Sequence, residues 1–188
     1  MRARRPFSLP SCSLGVGLAL LLTLGSITSV QAAGTSAATP AIQAEADGHA
    51  IALADVSRYH CHDLASPLIR CFATAAARDA DEAAMVRALS PGGTLTTDAS
   101  AATTSAYVRW YLDANYGGPS FDAFLAYRDL GTIGWNDKIS SFMTYAGGHP
   151  RWWKDIGFAG VSWDWGAGVS VPNVGTAAND QFSSVERL

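Results

Sequence analysis

The stretch N-D-K-I-S-S, Asn136–Ser141, returns later in the chain as N-D-Q-F-S-S, Asn179–Ser184. Each copy trails a second landmark. Tyr111–Ser120 reads Y-L-D-A-N-Y-G-G-P-S, and Trp153–Ser162 reads W-K-D-I-G-F-A-G-V-S. Both blocks open on an aromatic, and a second aromatic follows in each, Tyr116 and Phe158. A glycine comes next, Gly118 and Gly160, and then a serine, Ser120 and Ser162. The unit is about 42 residues long and occurs twice, with its landmarks in the same order. A chain written this way is expected to fold as two like halves.

Each landmark has a physical reading. Glycine adopts positive φ without penalty, so Gly118 and Gly160 allow a hairpin to fold back sharply. The first aromatic, Tyr111 or Trp153, can lie across that hairpin and cover it. Ser120 and Ser162 can hydrogen-bond the exposed backbone of the turn. In the hexapeptides, Asn and Asp are turn formers that carry oxygens, and the paired serines start the next strand.

The surrounding composition points the same way. All six tryptophans and five of the six tyrosines lie in 107–188. Short β-branched and aromatic runs there are punctuated by N-Y-G-G, A-G-G-H-P, G-A-G and P-N-V-G. That is the pattern of an all-β unit of many short strands. Roughly 80 residues suffice for a compact sandwich.

Residues 107–188 resemble the βγ-crystallin family, on the strength of the two aromatic-Gly-Ser blocks and the two hexapeptides. The resemblance implies paired Greek-key motifs in a two-sheet sandwich. In microbial members the N/D-N/D-x-x-S/T-S signature implies calcium binding, with two ions per domain, and both hexapeptides fit it without departure. Carried over, Asn136, Asp137 and Ser140, with Asn179, Asp180 and Ser183, are the expected side-chain ligands. Lys138, Gln181, Ala114 and Ile156 are expected to contribute main-chain carbonyls. Each ion would sit between one motif's hexapeptide and the loop or hydroxyl of the other. The donor set is chemically apt, because Ca2+ takes six to eight hard oxygens. A single carboxylate per hexapeptide implies moderate affinity, and Lys138 beside the first site is expected to lower it further.

The first half of the chain reads differently. M-R-A-R-R, an apolar run over Leu14–Leu24 and small residues up to Ala32 make a secretory signal, cut after Ala32. The chain has 13 Lys+Arg and 16 Asp+Glu; removing Arg2, Arg4 and Arg5 leaves a mature balance of about −6. No basic patch is present, so a nucleic-acid partner is not expected. The mature protein is expected to be a monomer outside the cell, or in the periplasm if the cell has an outer membrane, and free of the membrane. Residues 33–50 read as a flexible start. Ile51–Val56 and Leu68–Phe72 read as strands. Phe72, Ala76, Ala80, Ala83, Val86 and Leu89 recur at helical spacing, so a helix follows, packed loosely on the sandwich or not at all. S-P-G-G ends it, and a Ser/Thr-rich linker covers 93–106.

Cys61 and Cys71 remain after signal removal. In an oxidising compartment such a pair reads as a structural staple. The other reading is a thiol or metal site, with His60 and His62 flanking Cys61; on a strand, however, those histidines face away from the cysteine. The full expected fold is thus a double Greek-key βγ-crystallin-like two-sheet sandwich, preceded by a small disulfide-linked segment with one helix.

Two other functions compete with calcium binding. Secreted microbial metalloproteinase inhibitors share the sandwich, and R-C-F-A-T-A-A-A-R-D-A-D-E-A-A resembles secreted proteins grouped with them. Those inhibitors carry a disulfide within the sandwich, which has no cysteine here. A cell-wall or carbohydrate-binding module would need Trp152, Trp153, Trp163 and Trp165 to form a stacking surface. An enzyme is not expected: Gly-x-Ser-x-Gly, a phosphate-binding glycine loop and His-Glu-x-x-His are all missing from the sequence.

Overall fold

The computed structural model describes residues 40–89 and 105–188. The expected signal, residues 33–39 and nearly all of the expected linker lie outside the described residues.

The repeat is visible as two matching strand sets. In the first half, β5 (Val108–Asp113), β6 (Gly117–Ala123) and β7 (Ser141–Thr144) follow one another. In the second half, β8 (Pro150–Asp155), β9 (Ala159–Asp164) and β11 (Ser184–Arg187) do the same. The halves exchange strands. The short β10 (Ser170–Val171) of the second half pairs with β7 of the first. In return, Tyr127 of the first half bridges to Val185 of β11. This exchange makes the pair of motifs a double Greek key, so the expected fold class is the observed one.

The sandwich core is aromatic. Trp110 and Trp152, at equivalent positions on β5 and β8, are both fully buried. Their rings meet edge-on with centroids 5.6 Å apart. Trp110 stacks on Phe121, and Trp152 on Phe182, each at 4.8 Å. Removing one large apolar side chain from water stabilises by about 2–3 kcal/mol, so this quartet is a main source of sandwich stability.

Three expectations about the first half are corrected. First, residues 43–50 are built into the fold. β1 (Gln43–Ala46) and β2 (His49–Ile51) form a hairpin, with Asp47 and Gly48 at positive φ in its turn. Ala44 and Ala46 are buried while Gln43 is exposed, a strand pattern that small side chains make faint. Second, Leu53–Arg58 is a 3-10 turn rather than a strand. It carries Leu53 and Val56 inward together, which a spacing of three permits only in a helical turn. Ala54 packs so closely on Gly134 that any β-carbon there would strike the Ala54 carbonyl.

Third, the helical segment is bound tightly to the sandwich. β3 (His60–His62) pairs antiparallel with β4 (Leu68–Phe72), and the Cys61–Cys71 disulfide bridges directly opposite residues. β3 also pairs in parallel with β6. The result is one eight-stranded sheet, ordered β10-β7-β5-β6-β3-β4-β1-β2, facing a three-stranded sheet ordered β11-β8-β9. Helix α1 (Ala75–Leu89) then lies over this junction. It turns a polar side inward: Arg78 is fully buried, while Ala76, Ala80, Ala83 and Leu89 are exposed. Arg78 pairs with the equally buried Asp122 of β6 at 3.1 Å and donates to Ser120 at 2.6 Å. Asp122 also accepts from Arg109 at 2.6 Å. Among the described residues no helix is long and apolar enough to cross a membrane.

Removing one partner of a buried pair leaves an uncompensated charge. Arg78→Met is therefore expected to lower the unfolding free energy by about 3–5 kcal/mol, read from urea denaturation; a loss below about 1 kcal/mol would contradict the docking role assigned to Arg78. A pH effect follows as well. Burial, and then the neighbouring Asp122, push the Glu82 carboxyl on α1 up to about 8 from an ordinary 4.5. Across that interval the folded protein holds a proton that the unfolded chain has lost, so stability falls as pH rises. Asp63, pushed up to about 7 by burial, acts with the same sign. His60 and His62, lowered by burial from 6.5, act oppositely and only below that value. The urea midpoint is expected to fall between about pH 6.5 and 8.5, and Glu82→Gln to make the fall shallower.

Candidate functional site

The site is built from two hairpins, two hexapeptides and two loops. Each folded hairpin turns through a pair of residues at positive φ, Asn115 with Tyr116 and Gly157 with Phe158. Gly118 and Gly160 follow, also at positive φ, where a β-carbon would collide with the carboxylates of Asp113 and Asp155 respectively.

One hydroxyl closes each hairpin, and it is not the expected one. Ser141 donates to the Asp113 carbonyl at 2.6 Å and accepts from the Tyr116 amide at 3.0 Å. Ser184 repeats this, donating to the Asp155 carbonyl at 2.7 Å and accepting from the Phe158 amide at 3.1 Å. Both serines are fully buried and are the last residues of their hexapeptides. Ser120 and Ser162 do not bond the turn. Ser120 faces Arg78 and His60, the latter at 2.9 Å, and Ser162 is exposed. The aromatic cover is asymmetric. Tyr111 meets Tyr116 edge-on at 5.5 Å, while Phe158 lies under the Arg128 guanidinium at 4.9 Å and Trp153 donates to Glu186 at 3.0 Å.

Two loops tie each half to the other. The Pro172 carbonyl accepts from Asn115 at 2.7 Å, and Val174 donates to the Ser140 carbonyl at 3.1 Å. The amide of Asn179 donates to the Gly175 carbonyl at 2.9 Å. The counterpart loop does the same work: the Arg128 carbonyl accepts from Gly157 at 2.6 Å, and Leu130 donates to the Ser183 carbonyl at 2.9 Å. Asn173 and Asp129 stabilise these loops identically, each accepting from a glycine amide two residues on at 2.7 Å.

The first cleft gathers Ala114 and Ser140 from one motif with Asn179 from the other, alongside Asn173, Gly175 and Thr176. On the opposite side, Asn136 packs beside Gly131 in the loop that holds Gly157 and Ser183. The two ends of one hexapeptide thus serve different loops. Asp137 and Asp180 both sit at positive φ, 53° and 52°. Each accepts a 2.7 Å hydrogen bond from the amide nitrogen of the preceding asparagine, Asn136 or Asn179. That bond commits the amide nitrogen and leaves the amide oxygen as the group able to accept or ligate. Lys138 is turned elsewhere than expected: its ammonium donates to the Gly134 carbonyl at 2.7 Å and to Ser57 at 3.0 Å, in the N-terminal segment. Gln181 donates to the Asp180 carbonyl at 3.1 Å. Among the described residues no three His, Cys, Asp or Glu side chains form a metal cluster; the donors in the cleft are hydroxyl, amide and main-chain groups.

The sequence reading takes Ser141 and Ser184 only as strand starts and does not single out the Asp129 and Asn173 loops as parts of the site. A signal for the loops exists in D-L-G and N-V-G, Asp129–Gly131 and Asn173–Gly175, which recur at nearly the spacing of the hexapeptides. The tryptophan stacking surface is not formed: Trp152 is fully buried, and Trp163 and Trp165 pack on Phe182.

No family model matches this sequence, and no curated protein does. Solved structures do. An archaeal βγ-crystallin is 32% identical, with 45% of this chain aligned to 99% of that one and a TM-score of 0.40. A βγ-crystallin from Ciona intestinalis is 28% identical over 43% of this chain and 98% of its own, with a TM-score of 0.40. A βγ-crystallin domain from Clostridium beijerinckii is 29% identical over 43% and 95%, with a TM-score of 0.39.

Ser141→Ala and Ser184→Ala are each expected to cost about 1–3 kcal/mol, because each strands a buried donor–acceptor pair. Ser162→Ala is expected to stay within about 0.5 kcal/mol of wild type. Equal losses at Ser162 and Ser184 in urea denaturation would refute the assignment of the hairpin lock.

Proposed function

We propose, from a chain with a βγ-crystallin-like sandwich, that this is a secreted calcium-binding protein in which each ion sits between one motif's hairpin and hydroxyl and the other motif's hexapeptide asparagine. The observation that carries this reading is the first cleft. Ala114 and Ser140 from one half line it together with Asn179 from the other, and hard-cation donors are the groups on offer. The equivalent set is Ile156, Ser183 and Asn136, around the Asp129 loop. Asp137 and Asp180 hold the asparagine amides by their nitrogens and supply negative charge next to each site.

Lys138 is engaged by Gly134 and Ser57, so its ammonium is held away from direct competition at the cleft. One carboxylate per hexapeptide still favours affinity in the range of extracellular modules, with Kd about 10⁻⁴–10⁻³ M. The Cys61–Cys71 bridge supports an oxidising destination outside the cytosol, in keeping with the expected signal. Bound calcium stabilises the folded state alone, by about 2.7 kcal/mol when free calcium stands at a hundred times Kd. A structural or stress-protective role follows from that linkage. An inhibitor function has no specific observation in its favour.

Calcium added to the metal-free mature chain is expected to give saturable calorimetric heat and to raise Tm. Ser140→Ala or Asn179→Ala should remove the first site, Asn136→Ala or Ser183→Ala the second, and Asp137→Ala and Asp180→Ala should weaken one each. Absence of heat together with an unchanged Tm would overturn the proposal.

A further inference from the structure

The two halves share one platform but cover it differently. On β6, Ser120 and Asp122 are fully buried: β3 pairs along the strand edge, and Arg78 of α1 sits on both side chains. β9 carries the same platform. Ser162 and Asp164 occupy the positions of Ser120 and Asp122, and Arg151 pairs with Asp164 at 3.0 Å across the β8–β9 ladder as Arg109 pairs with Asp122 across β5–β6. Yet β9 ends its sheet, and among the described residues no strand pairs with its outer edge. Ser162 is exposed, the Asp164 side chain is 41% exposed with His149 and Arg151 against it, and Val161 is 59% exposed.

We propose that the free edge of β9, with Ser162 and Asp164, docks an extended segment of another protein that carries an arginine or lysine. An open strand edge offers a row of main-chain donors and acceptors that an added strand satisfies. The occupied twin shows the chemistry that fits such a platform: a parallel strand on the edge and a guanidinium on the Ser–Asp pair. Charge selects the occupant. β9 itself contains no Lys or Arg, so the edge strand of a second copy brings no cation of its own to Asp164. The mature chain's own segments outside the described residues, 33–39 and 90–104, contain no Lys or Arg either. A basic strand from a different protein is the occupant this chemistry fits, and the chain's net charge of −3 favours its approach.

The test uses the mature protein labelled with ¹⁵N and two acetylated, amidated peptides, T-V-R-V-T-V and T-V-E-V-T-V. The arginine peptide is expected to shift the amide resonances of residues 159–164 saturably, and the glutamate peptide to bind at least about tenfold more weakly. Asp164→Lys, an exposed change whose folding is checked by its NMR spectrum and Tm, is expected to reverse the preference. Binding that maps away from β9, equal affinity for both peptides, or a preference indifferent to Asp164→Lys would each overturn the proposal.

Discussion

One buried hydroxyl per motif, shared between a main-chain carbonyl and a main-chain amide, holds the two hairpins shut, and the rest of the sandwich depends on that closure. Ser141 and Ser184 spend both of their hydrogen-bonding capacities inside their own motif. With the hairpin closed, the backbone at Asn115 and Gly157 is presented to the loop of the opposite half. That loop in turn fixes Ser140 or Ser183. Local closure and assembly of the halves are therefore one problem rather than two. A hairpin that opens loses its partner loop, and the cleft at Ala114 loses its far wall.

The repeat was legible because its carriers are rare residue types at a fixed spacing: aromatics, glycines at positive φ, and Asn-Asp pairs. What sequence reasoning assigned wrongly has a common cause. Ser120 and Ser162 are equivalent by spacing, yet one lies under a helix and the other in solvent, so a repeat predicts position and not environment. The lock fell instead to the final serine of each hexapeptide, which the spacing alone marked only as a strand start. The Asp129 and Asn173 loops were missed because a three-residue signal is too short to stand out.

The N-terminal segment was the least legible part. Alanine dominates α1, and alanine says little about which side faces inward. Of the apolar stripe it suggested, Ala76, Ala80, Ala83 and Leu89 are exposed, and the helix docks instead through Arg78, Glu82 and Asp81, whose carboxylate pairs with Arg70 at 2.8 Å. That mode is rare because an arginine is costly to bury without a partner. Here Asp122 supplies the partner, and it belongs to a strand remote in sequence. Only long-range information could reveal the match. The strand edge of β6 was likewise invisible, since nothing in G-G-P-S-F-D-A announces that another strand will lie beside it.

The disulfide closes a ring wholly inside the N-terminal segment, between neighbours on β3 and β4. It does not fasten that segment to the sandwich. The fastening consists of a parallel ladder, a buried guanidinium and the packing of the Leu53–Arg58 turn against Gly134. Apart from the main chain between residues 89 and 105, the two pieces are joined by reversible forces alone. The N-terminal segment and the sandwich therefore recognise each other as a strand edge, an ion pair and a close backbone contact do, so the junction depends on surface complementarity and not on a covalent clasp.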